Sequence, residues 1–89
     1  MAAPDTSHDP AMLGLRALVW TLAEPARAMR LLDVTGLTPA DLKASASDPA
    51  TLSALFGFLE NHEPDLIACA ESLGVKPEAL VRARMELDA

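Results

Sequence analysis

Tyrosine is absent, and Trp20, Phe56 and Phe58 are the only aromatic side chains among the 89 residues. No run of β-branched residues alternates with polar ones, so the usual ingredients of a sheet are missing. Cysteine occurs once, as Cys69. It cannot close an internal disulfide, and it implies no oxidising compartment. Basic side chains number 7 against 13 acidic ones, for a net charge of −6. Such a chain repels phosphate backbones and anionic lipid, which argues against nonspecific nucleic-acid binding and against a membrane surface. The uncharged apolar stretches stop far short of a membrane span. No glycine-rich phosphate loop is present, and Ser, His and Asp stand at no recognised catalytic spacing. Residues Met1 to His8 lack Lys, Arg and an apolar core. They are expected to form a loose tail over 1–8 and not a signal peptide, with the cytoplasm as the expected location.

Helix formers and helix starts are what the chain does have. The composition is 51% hydrophobic and 22% charged, mostly Ala and Leu on the apolar side, which excludes disorder. Six of the seven prolines stand where a helix would begin: Pro10, Pro25, Pro39, Pro49, Pro64 and Pro77. Proline suits a first helical turn, where its missing N–H is not needed and its φ is already helical. An all-α fold follows: a compact bundle of six short helices in a single domain, 9–89. The expected helices run over about 10–23, 25–35, 39–46, 49–61, 64–73 and 77–87.

The helix starts also recur. Asp9-Pro10-Ala11 matches Asp48-Pro49-Ala50, Glu24-Pro25 matches Glu63-Pro64, and Gly36-Leu37-Thr38-Pro39 matches Gly74-Val75-Lys76-Pro77. Two readings are open: a three-helix unit written twice, over 9–46 and 48–88, or recurrent helix punctuation with no duplication behind it. Charge divides unevenly between the halves. Residues 1–47 hold four bases and five acids, and residues 48–89 hold three bases and eight acids.

The first helix carries Arg16 as its single charge and is apolar on nearly every side, so it should lie at the centre of the core or meet a partner. Leu52, Leu55, Phe56 and Leu59 form a core stripe in the fourth helix. Leu66, Ile67, Ala70 and Leu73 of the fifth helix should be buried, as should Leu80, Val81, Ala83, Met85 and Leu87 of the sixth. Gly36 and Gly74 fit left-handed helix caps.

Candidate sites are few. Ala70, Gly74 and Leu80 stand at the spacing of a helix-turn-helix, with the sixth helix as the reader. Its expected exposed line is Glu78, Arg82, Glu86, a salt-bridge ladder and a poor surface for phosphate. Glu60, His62, Glu63 and Asp65 could be weak metal ligands, but acids at a helix start explain them more simply. Cys69 lies mid-helix with no base nearby and reads as a small hydrophobe. Arg16, Arg27 and Arg30 read as solvated charges. Phe56 reads as core. Trp20 and Phe58 are open between core and an anchor for a protein partner.

Several segments resemble a known family: Leu31-Leu32-Asp33-Val34-Thr35-Gly36-Leu37-Thr38-Pro39-Ala40-Asp41-Leu42, Asp48-Pro49-Ala50, Phe58-Leu59, and Gly74-Val75-Lys76-Pro77-Glu78-Ala79-Leu80-Val81-Arg82-Ala83-Arg84. The family is the domain-of-unknown-function family numbered 3572, small alphaproteobacterial proteins. The resemblance implies a compact helical bacterial protein of the cytoplasm and brings no functional residue with it. The functional expectation is a protein-interaction or adaptor module, with self-association as one form, and with no catalysis, cofactor or metal. The alternative is a helix-turn-helix-like nucleic-acid-binding regulator.

Overall fold

The computed structural model describes residues 9–89; the tail expected over 1–8, with His8, lies outside the described residues. Six helices follow in order: α1 (Pro10–Leu22), α2 (Pro25–Thr35), α3 (Pro39–Ala44), α4 (Pro49–Glu60), α5 (Glu63–Leu73) and α6 (Pro77–Asp88). Each has a proline in its first two positions. The residue before most of these prolines satisfies the free N–H groups of the first turn. The Asp9 carboxylate accepts from the Ala11 and Met12 amides at 2.9 and 3.3 Å. Glu24 accepts from Ala26 and Arg27 at 3.1 and 3.2 Å. Asp48 accepts from Ala50 at 3.0 Å. Thr38 and Asp41 form a reciprocal capping box at 3.1 Å in each direction.

α5 starts one residue earlier than its proline suggests. Glu63 is its first residue and His62 its uncapped N-terminal neighbour. Glu24 and Glu63 therefore occupy different positions in their helices, although the sequence aligns them. α3 has six residues and α6 has twelve. The two halves thus agree at Asp9 and Asp48, at the two glycines and in the 11-residue length of α2 and α5, and differ in the capping of those two helices and in the lengths of α3 and α6.

Gly36 and Gly74 have φ of 73° and 75°. Each ends a helix, and each lets the chain turn back so that otherwise orphaned carbonyls are used. The Gly36 amide donates to the Leu32 carbonyl at 2.8 Å, and the Val75 amide to the Ala70 carbonyl at 3.0 Å. Gly36→Ala and Gly74→Ala are each expected to lower stability by about 1 kcal/mol, because a side chain is strained at positive φ. A urea melt of either variant matching the wild type would refute this.

α1, α4 and α6 pack against one another and form the centre; α5 touches all three, and α2 lies on α1 and α4. α1 therefore lies at the centre, as its apolar sequence predicts, and shares that place with α4 and α6. α4 is the more deeply buried, with Leu52, Leu55, Phe56, Phe58 and Leu59 all enclosed. The crossing of α1 and α4 is close at Gly14, where an added Cβ would lie 3.0 Å from both Cβ and Cδ1 of Leu52. Only a residue without a side chain fits there without moving Leu52. Thr21, buried on the same face of α1, donates its hydroxyl to the Ala17 carbonyl at 2.8 Å, so no polar group is left unpaired there. α2 and α3 each give one buried residue to the core, Leu31 and Leu42.

Two residues expected in the core lie outside it. Ile67 is 40% exposed and Met85 59% exposed. α5 and α6 already bury Cys69, Ala70, Leu73, Leu80 and Ala83 along their shared side, and Ile67 and Met85 fall off that stripe. Val81 and Leu87 are half-buried.

Candidate functional site

Three arginines tie the helices together; Arg16 and Arg27 are half-buried where the sequence suggests solvated charges, and Arg30 is exposed as expected. The Arg16 guanidinium of α1 donates to the Leu73 carbonyl at 2.8 Å, at the C-terminal end of α5. Arg27 of α2 donates to the Trp20 carbonyl at 2.6 Å, near the end of α1. Neither α1 nor α5 has a base in its own last turn. These side chains supply, from a distance, the cation that a helix C-terminus favours. Arg27 also stacks over the Trp20 ring, 3.7 Å from its centroid. Arg30 pairs with Asp65 at 2.7 Å and lies 5.9 Å from the centre of the Phe58 ring.

The acidic segment around His62 is dispersed by these pairings. Asp65 turns to Arg30, with His62 at 3.9 Å from the same oxygen. Glu60 turns to Arg84 of α6, which also holds Asp88 at 3.0 Å, and Ser53 bonds to Asp88. The hydrogen bond and charge of Glu60 raise the Arg84 pKa above its ordinary value. Among the described residues no group of three or more His, Cys, Asp and Glu gathers as a metal centre would require.

Cys69 is fully enclosed. Burial pushes its thiol up from the ordinary 9.0 to about 11, against a smaller opposing effect of the Arg27 charge. A protonated, enclosed thiol is a poor nucleophile. The folded protein should therefore resist iodoacetamide at pH 8 and react fully only in denaturant, as mass spectrometry would read. The sign of the pH effect follows. The unfolded chain gives up this proton first as pH passes 9.0, so stability falls with rising pH between there and about 11. Rapid alkylation of the native protein would contradict this environment.

Of the two aromatics considered as partner anchors, Phe58 belongs to the core with 7% of its surface exposed. Trp20 is half-buried and packs against the edge of the core. It helps to line a shallow recess between α1 and α5, whose other walls include Leu15, Val19, Ala23 and Leu73. Val19 is 70% exposed and Met12, about two helical turns away, 45% exposed. Met12, Leu15, Val19 and Ala23 follow helical spacing and make a second apolar stripe on α1, beside the buried one. This stripe is where the apolar excess of the first helix goes.

At the helix-turn-helix spacing, Ala70 and Leu80 are both buried and Gly74 makes the turn between α5 and α6. Glu78, Arg82 and Glu86 are exposed on α6 as expected. The ladder expected along them is not closed: among the described residues, the ion pairs that form on α6 are those of Arg84. Four-residue spacing brings such side chains near each other, but solvated ends gain little by pairing.

A second concave feature lies where α1, α2 and α3 meet. It is an open groove of about 480 Å³ walled by Leu18, Leu22, Ala28, Leu32, Leu42 and Ala46, with Lys43 as its one charged wall residue among the described residues. Nothing in the sequence pattern marks it, because it arises from what α2 and α3 fail to fill. Among the described residues no helix is long and apolar enough to cross a membrane.

The family model described as "Protein of unknown function (DUF3572)" matches residues 7–89, nearly the whole chain, and the chain belongs to this family. No curated protein and no solved structure matches it.

Proposed function

We propose that this member of the DUF3572 family is a protein-interaction module of the cytoplasm that works without catalysis. The observation that carries the reading is the uncovered stripe of α1, centred on Val19 at 70% exposure and flanked by the half-buried Trp20. Leaving large apolar side chains in water is unfavourable, and covering them is the main driving force of association. Arg27 holds the Trp20 ring in one place, so little ordering is needed when a partner meets it. The partner is a protein that presents an apolar segment, a second copy of the chain included.

A photo-crosslinking side chain at position 19, compared with one at exposed position 86, tests the reading in cells. One adduct of defined mass at 19, none at 86, and its loss on Trp20→Ala is the expected result. Equal labelling at both positions would refute it.

The alternative is a helix-turn-helix regulator, favoured by the turn at Gly74 between the buried Ala70 and Leu80. The two acids on the exposed line of α6 oppose it, since most nonspecific DNA affinity comes from neutralising phosphates. Random duplex DNA at physiological salt is expected to show no mobility shift with micromolar protein. Tight binding that weakens steeply as salt rises would favour the alternative.

A further inference from the structure

The groove between α1, α2 and α3 shares no lining residue with the recess beside Val19, and its chemistry is different. Protein interiors are packed nearly as densely as organic crystals. Here the packing stops short, because Leu31 and Leu42 are the only residues that α2 and α3 bury. The remaining space is walled by aliphatic side chains, with Lys43 at its margin in the last turn of α3.

We propose that this groove is a binding site for a single-chain anionic amphiphile, a fatty carboxylate, whose alkyl chain lies along Leu18, Leu32 and Leu42 and whose head group meets Lys43. Two features select this occupant. The first is charge: the protein carries −6 overall, yet among the described residues the one charged side chain lining this groove is a cation. An anionic head is attracted locally, and a cationic amphiphile of the same length is not. The second is the near absence of polar atoms in the walls. An extended peptide would bring N–H and C=O groups that find no partners there, at a cost for each. An alkyl chain needs no such partners, and its transfer from water into the groove is favourable in proportion to the area covered. Ligand sites of this kind are mostly apolar, with a few placed polar groups that fix orientation.

Calorimetry with sodium dodecanoate below its micelle concentration, set beside dodecyltrimethylammonium, tests the proposal. Saturable one-to-one binding of dodecanoate is expected, with the cation of equal chain length at least about tenfold weaker. Lys43→Gln should abolish that preference, because Lys43 is exposed and its loss leaves the apolar walls in place. Ala28→Phe should fill the groove and remove dodecanoate binding, and a thermal melt on each variant confirms that it is folded. Equal affinity for the two ions, binding that survives Ala28→Phe in the folded variant, or no saturable heat would each overturn the proposal. If dodecanoate fails to bind while Ala28→Phe releases a bound protein, the groove belongs to a partner helix and the amphiphile assignment is wrong. The Val19 crosslinking result is independent of all these outcomes.

Discussion

Phe56→Ala is expected to cost about 3–5 kcal/mol, the range for removing a fully buried aromatic side chain. Phe56 has no exposed surface and sits on α4, which packs against α1, α2, α5 and α6. No neighbour can follow the lost ring without leaving its own contacts, so most of the cavity would persist. Small domains have about 5–15 kcal/mol in total, so the variant would retain little margin. In a domain of this size the melting temperature should drop by roughly 12–40 °C. A denaturant melt gives the free energy directly. A loss under about 1 kcal/mol would show that α4 is not the centre of the core.

How much of this was legible in the sequence depended on whether the cause is local. Five of the six helix starts were legible to the residue, because proline acts on the nearest turn of backbone, helped by the preceding acid or threonine at α1 to α4; α5 begins one residue early. The stripe of Leu52, Leu55, Phe56 and Leu59 was legible because burial there follows the helical period. In α1 the period is hidden: nearly every position is apolar, so the sequence could not say that Leu13 and Leu18 face in while Val19 faces out. Ile67 and Met85 were misplaced for another reason: each is an apolar residue beside the buried stripe of its helix, and type alone does not tell the two positions apart. The roles of Gly14, Arg16 and Arg27 depend on partners in other helices, and no local pattern announces them. Gly14 matters because an added side chain there would collide with Leu52. The groove was the least visible feature, since it is an absence of packing between three helices.

Leu18 and Val19 are adjacent in the chain, and their truncations should differ in free energy more than any other neighbouring pair on α1. Leu18 is 5% exposed and packs in the central cluster, and Val19 is 70% exposed on the uncovered stripe. Leu18→Ala is expected to cost about 2–5 kcal/mol, by lost transfer energy and by the cavity left behind. Val19→Ala should change stability by no more than about 0.5 kcal/mol, as exposed substitutions do. Both variants keep or improve helix propensity, so the contrast reports burial and not the backbone. Urea melts of the two at equal concentration make the comparison. A cost under about 1 kcal/mol for Leu18→Ala would mean that this face of α1 is not packed in the single chain. A cost above about 2 kcal/mol for Val19→Ala, falling as the protein is diluted, would mean that the stripe is already covered by a second copy, because an interface between copies adds stability only while they remain associated.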